Sequence, residues 1–249
     1  LSGFNYTQLQ LHRNEEVPSD IMRKFRDGLV RLGMDEPVQY ILGYAYFMNR
    51  NFSVNEHVLI PRQDTEEMVQ KIIDDHGSSQ KNICDIGTGS GIIAITLGLE
   101  FPDDEILATD ISKEALQVAK LNSENYQTNN IFFEQSDLFK DISVQKFDVI
   151  VSNPPYIAES EKKDMDASVI KYEPDLALYG QDNGLEFYEN IVKQVDNYLN
   201  DDGILYMEFG FRQKNAIKQI FYDNLPDYVV EFHKDMSGNY RYLKAKKEM

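Results

Sequence analysis

Asn153-Pro154-Pro155-Tyr156 sets a primary amide, two rigid imino rings and a phenol side by side. The preceding run, Phe147 to Val151, is apolar and rich in β-branched residues, the pattern of a buried parallel strand. Two prolines cannot continue a ladder, because each lacks an N–H donor and has a fixed φ. The strand therefore ends abruptly on a stiff loop that presents Asn153 and Tyr156. In open α/β sheets ligands bind at the carboxyl ends of strands. There the pair can clamp a planar, amide-like group. The same four residues also suit a plain turn in which Asn153 starts the bend.

A second constellation is Asp85-Ile86-Gly87-Thr88-Gly89-Ser90-Gly91, between an apolar strand and the helix start Ile92-Ile93-Ala94. Its glycines let the backbone approach a ligand and set helix N–H groups beside it. A dinucleotide fingerprint needs Gly-x-Gly-x-x-Gly. Here the third glycine comes one place early, at Gly91, and Ile92 holds the required position. That spacing suits a ligand with a carboxylate and an amine near the loop, such as S-adenosylmethionine, better than a pyrophosphate. Asp110 closes the next strand, a position from which an acid can accept hydrogen bonds from two ribose hydroxyls. It can equally serve the N-terminus of the helix that follows. Asp137 and Leu138 close a third strand, where one can bind an adenine amino group and the other pack on the ring. Asp137 also reads as an ordinary loop acid.

These residues need a scaffold that brings strand ends together. Strands are predicted at 83–86, 105–109, 131–135, 147–152 and 203–209, and helices at 91–100, 112–125, 184–199 and 212–224. The alternation predicts a doubly wound, Rossmann-like α/β sheet. Late strands near 228–233 and 240–245 are expected to add an antiparallel edge. A helix over Ser19–Leu32 carries Ile21, Phe25, Leu29 and Leu32 on one face. Tyr44 to Ile60 reads as a β-hairpin turning at Asn49-Arg50-Asn51. Asp64 and Glu67 suggest a capping box for a helix ending near His76-Gly77. Residues 158–183 are polar and read as irregular, a substrate lid or a surface excursion.

The succession resembles the class I S-adenosylmethionine-dependent methyltransferases, and a further segment narrows the likeness. Pro37 to Gly43, Phe47, and Val58-Leu59-Ile60-Pro61-Arg62-Gln63-Asp64-Thr65-Glu66 resemble the HemK/PrmC family, as do Glu173-Pro174 and the strand with Leu205, Met207, Glu208 and Gly210. The family usually carries another residue, often proline, where Gln63 stands. The resemblance implies methylation of a glutamine side-chain amide (N5) in a peptide-chain release factor, with S-adenosylhomocysteine as product. It implies cofactor binding by Asp85, Gly87–Gly91, Asp110, Asp137, Leu138 and Asn153. It places Asn153, Pro154, Pro155, Tyr156 and Arg62 on the substrate, with Asn153, Pro154 and Tyr156 catalytic. It divides the chain into a partial helical domain (1–43), a hairpin linker (44–62) and the methyltransferase domain (63–249). The alternatives are methylation of exocyclic amines in nucleic acid, and a non-catalytic S-adenosylmethionine-binding scaffold.

Composition narrows the field. The chain has 249 residues and a formal charge of −17, which repels a phosphate backbone and favours a protein partner with a positive patch. The acidity also serves solubility alone. The single cysteine excludes an internal disulfide and points to a reducing, cytoplasmic setting. The four histidines stand at no metal-ligand spacing, so no metal is expected. No apolar run reaches the length of a membrane span. A monomer is favoured. The chain opens on Leu1, so a processed or shortened N-terminus is expected.

Overall fold

The computed structural model describes residues 2–143 and 145–248; Leu1, Val144 and Met249, which include both outer limits of the expected domains, lie outside the described residues. Three helices come first: α1 (Tyr6–Leu11), α2 (Ser19–Leu32) and α3 (Val38–Leu42). On α2 the predicted apolar face stays half exposed at Phe25, Leu29 and Leu32. This region is tied to the rest by Tyr40, whose hydroxyl donates to the Val58 carbonyl at 2.6 Å.

The hairpin pairs β1 (Tyr44–Phe47) with β2 (Arg50–Ser53), Phe47 opposite Arg50. Its turn is therefore Met48-Asn49, both at positive φ, as the right-handed twist of a two-residue hairpin demands. That is one residue earlier than expected, and the pairing ends at Ser53 instead of reaching Ile60. Helix α4 (Gln63–Asp75) follows. The capping box does not form. Arg62 is the N-cap without a side-chain bond. Asp64 pairs with Arg241 at 3.0 Å, and Glu67 accepts from the Met236 amide at 3.0 Å. A guanidinium and an open backbone donor outcompete the helix's own amides.

The main sheet of the described residues comprises β3 (Asn82–Ile86), β4 (Glu105–Asp110), β5 (Ile131–Gln135), β6 (Phe147–Ser152), β7 (Leu199–Glu208), β8 (Tyr228–Lys234) and β9 (Tyr240–Lys247). Their order is β5-β4-β3-β6-β7-β9-β8. The first five pair in parallel, and β9 runs antiparallel between β7 and β8. Strand β7 begins earlier than predicted: Leu199 pairs with Phe147, and regular pairing resumes only at Ile204.

Both faces are covered, which explains the unbroken apolar runs. Alternate residues of each strand serve opposite cores. Ile83, Val149 and Val151 pack with α4, α5 (Ile92–Glu100) and the hairpin's Phe47 and Phe52. Cys84, Ile86 and Ile150 pack with α10 (Glu186–Val195) and α11 (Lys214–Asn224) on the other face. Cys84 is fully buried at the middle of the sheet. Helix α6 (Lys113–Tyr126) is capped by the Ser112 hydroxyl. From α6, Asn122 binds both backbone groups of Ser53 and the Ser90 carbonyl, fixing the hairpin to the glycine loop.

Residues 158–183 are not irregular. They fold as a 3-10 turn over Glu159–Asp164, then α7 (Ala167–Tyr172), α8 (Asp175–Leu178) and a single left-handed turn, α9 (Gln181–Gly184), with Asp182 and Asn183 at φ +52° and +57°. Local caps explain the difference; the Asp166 side chain, for example, accepts from the Ser168 amide. Among the described residues no helix is long and apolar enough to cross a membrane, and no group of three His, Cys, Asp or Glu could hold a metal ion.

Candidate active site

The carboxyl ends of β3, β4, β5 and β6 open into one cavity of about 470 Å³. Its floor is the glycine loop, Gly87 to Ser90. The Gly87 and Thr88 amides donate to the Thr109 carbonyl, so the loop is pinned to the end of β4. Gly91 ends the loop at φ +82°, where a Cβ would stand 2.9 Å from Ile95 Cδ1 and 3.1 Å from Ala119 Cβ. Only glycine allows α5 and α6 to approach that closely.

Asp85 lies beneath this loop and does not line the cavity. Its Oδ2 accepts from the Thr88 hydroxyl at 2.7 Å and the Ala94 amide at 3.2 Å, while Oδ1 has no partner among the described residues. Burial, with Asp110 nearby, pushes its carboxyl up to about 7. Asp110 does line the cavity. It accepts from the Gly89 amide through Oδ2 and the Ser112 amide through Oδ1, each at 2.9 Å. Burial raises its pKa against those two bonds. Asp110 thus orders the loop and the start of α6 while its side chain faces the cavity. Asp137 and Leu138 line the far side, Leu138 at φ +53°.

Asn153, Pro154 and Pro155 line the opposite wall. Asn153 donates from Nδ2 to Thr65 Oγ1 at 3.3 Å. Thr65, in the first turn of α4, donates in turn to Glu208 Oε2 at 2.6 Å. Tyr156 does not line the cavity. Its ring packs into the α10–α11 core and its hydroxyl points at Glu208 Oε1, 3.5 Å away. Burial and the nearby Glu208 carboxylate raise the Tyr156 phenol well above its usual range. Glu208 is buried, and desolvation pushes it up to about 7. Arg62 lines the cavity and is held by Glu173, which also accepts from the Ile60 amide at 3.0 Å. Leu176, Ala177 and Tyr179 complete the roof.

Thr65, Glu208 and Glu173 receive no role from sequence reasoning. A signal existed for Glu208: it ends an apolar strand, as Asp110 does. The Asn153 loop is also clamped from a place no motif marked. Gln213 Nε2 donates to the carbonyls of Tyr156, Asn183 and Gly184 at 2.9, 3.2 and 3.3 Å.

The residues present fit S-adenosylmethionine. The cavity has the size of a small-molecule site. Its lining pairs the Asp110 carboxylate, an acceptor for hydroxyls, with the narrow glycine loop Gly87–Ser90, which has little side chain to exclude a ligand.

Two family profiles match the chain: the PrmC N-terminal domain over residues 1–43 and the Methyltransferase small domain over residues 63–175. A release factor glutamine methyltransferase of Lactococcus lactis subsp. lactis is 44% identical over 93% of this chain and 85% of its own length. That of Enterococcus faecalis is 39% identical over 96% and 86%. Among solved structures, a methyltransferase from Pyrococcus furiosus superposes with a TM-score of 0.58 at 19% identity, covering 93% of this chain and all of that one. The N-terminal domain of human METTL16 in complex with SAH superposes at 0.54 and 19% identity, over 78% and 75%. At those identities the superpositions speak to fold alone.

Proposed function

The chain belongs to the release factor glutamine methyltransferase family, and from that premise we propose that it methylates the side-chain amide nitrogen of a release-factor glutamine in the cytoplasm, using S-adenosylmethionine. The observation that carries the reading is Asn153 at the cavity wall with its Nδ2 already committed to Thr65. That leaves Oδ1 as an acceptor. We assign residues 1–43 to recognition of the protein substrate, 44–62 to the linker and 63–249 to methyl transfer. The chain acts on this reading as a monomer and without direct contact to nucleic acid.

An amide nitrogen is a poor nucleophile, because its lone pair is delocalised into the carbonyl. Its N–H is also too weak an acid for a side-chain base to remove beforehand. The remedy is positional. Asn153 Oδ1 and the Pro154 carbonyl accept the two amide hydrogens, hold the nitrogen still and favour pyramidal geometry. Tyr156 braces this loop from below through its buried ring and does not need to touch substrate. Arg62, anchored by Glu173, holds the substrate backbone at the cavity mouth. S-adenosylmethionine, held by Gly87–Ser90, Asp110, Asp137 and Leu138, would supply an electrophilic methyl group. Orientation of two reactants in this way can remove on the order of 7–11 kcal/mol of barrier. The proton leaves the amide nitrogen late, to water.

The test offers labelled methyl donor to the protein with a release factor, RNA and DNA in parallel. Label is expected on the release factor alone, and lost when its target glutamine is replaced by alanine. Label on nucleic acid instead would overturn the reading.

A further inference from the structure

The Asn153 amide can sit in two nearly isosteric orientations, and only one suits the reaction. With Oδ1 toward the cavity it accepts a hydrogen from the target amide. With Nδ2 there it opposes that amide donor to donor. Which orientation is favoured follows from the hydrogen-bond partners of the amide. Here the partner is Thr65 Oγ1, which owns a single proton. When Glu208 is ionised its Oε2, 2.6 Å away, can only accept, so that proton is given to Glu208. Thr65 can then only accept from Asn153, and only Nδ2 can donate, at 3.3 Å.

We propose that Glu208 and Thr65 are positioning residues: the buried carboxylate sets the direction of the Thr65 hydroxyl, which sets the polarity of the Asn153 amide at the cavity. The inference rests on the amide-methyltransferase reading above. A protonated Glu208 can donate to Thr65, which frees the Thr65 proton for Asn153 Oδ1 and reverses the relay.

The surroundings make that reversal accessible near neutrality. Burial disfavours the charged form. Asp64 on α4 adds to this, whereas Arg241 on β9 and the hydroxyls of Thr65 and Tyr156 oppose it. The Tyr188 hydroxyl of α10 is spent on the Glu208 backbone carbonyl, at 2.8 Å, and does not reach the carboxylate. Arg241 is itself shared with Asp64 and Asp235, which weakens its hold on Glu208.

The experiment uses the whole chain with release factor and donor both saturating. Thr65→Val removes the hydroxyl and keeps the shape. It should lower kcat by about ten- to hundredfold, the loss of one positioned hydrogen bond. Affinity for S-adenosylhomocysteine, read by calorimetry, should stay within about twofold, and Thr65→Ser should recover most of the rate. In the wild type kcat should fall as pH drops below about 7. Glu208→Gln cannot titrate and should lose that limb, at a level no higher than the wild-type plateau. His57 also lines the cavity and is present in both proteins, so a limb that survives in Glu208→Gln belongs elsewhere.

A readout without turnover completes the test. The Asn153 side-chain NH2 resonances, assigned by their loss in Asn153→Asp, should shift with pH in the wild type and not in Glu208→Gln. Wild-type turnover in Thr65→Val, or an unchanged acid limb in Glu208→Gln, overturns the relay. A Thr65→Val that no longer binds S-adenosylhomocysteine leaves the Glu208→Gln profile and the resonances to decide. Failure of the wild type to methylate any release factor overturns the function instead, and the resonances still report on the relay.

Discussion

At the scale of single residues, the site separates holding the donor from holding the acceptor. Asn153→Ala should lower turnover by about 2.7–4 kcal/mol, by analogy with losing one oxyanion-hole donor. Donor affinity should be almost unchanged, because Asp110 and the glycine loop are untouched; wild-type turnover would remove the loop from the chemistry. Asn153→Asp should retain more activity than Ala, since one acceptor oxygen remains. Asp110→Ala should weaken donor binding by about 1.5–3 kcal/mol in calorimetry, the value of a charge-assisted hydrogen bond. Unchanged affinity would leave Asp110 with loop ordering alone. Asp85 and Glu208 carry a cost in stability. Each is a buried acid raised to about 7 in the folded chain, from ordinary values of 3.8 and 4.5. A raised acid leaves stability highest below its unfolded value, and stability falls as pH rises through the interval up to the folded value. The loss is complete above about 7 and is roughly 4 kcal/mol for Asp85 and roughly 3 kcal/mol for Glu208. Glu208→Gln should therefore melt higher than the wild type at pH 8, with the gap closing near pH 4. A gap that does not change with pH would contradict the buried charge.

At the scale of elements, the critical joint is between the Asn153 loop and the short helices that follow. Ile157 bridges to Tyr179, and Gly184 reaches the Tyr156 carbonyl so closely that a Cβ there would lie 2.1 Å from it. Gly184 also sits at φ +77°. Gly184→Ala should displace residues 153–156, depress methyl transfer by at least the Asn153→Ala factor, and lower the melting temperature. Full activity would mean the loop tolerates movement. This joint shows where legibility in the sequence stops. Strands β3 to β6 were readable almost to the residue, because runs such as Phe147–Val151 are local signals bounded by glycine, proline and acids. The glycine loop and Asn153 were readable for the same reason. Thr65, Glu208 and Gln213 were not, because their partners lie 88, 143 and 57 positions away in sequence. The Asp64–Glu67 cap failed similarly: its spacing is local, but Arg241 and Met236 arrive from the far end of the chain.

At the scale of the molecule, a formal charge of −17 should steer a positively charged protein patch toward the cavity. The second-order rate constant for methylation should fall as ionic strength rises, with turnover at saturation little changed. A flat profile would assign the charge to solubility alone. The single thiol offers a different use of the fold. Cys84 is sealed in the middle of the sheet, directly before Asp85 and the donor loop, and burial holds its thiol protonated. A thiol reagent can reach it only during rare openings of the central strands. Its labelling rate is thus a clock for those openings. Any molecule that binds only the closed form slows the clock by the factor 1 + [L]/Kd. With no other cysteine to contribute background, one labelling time course per ligand concentration would measure donor affinity with no methyl acceptor present.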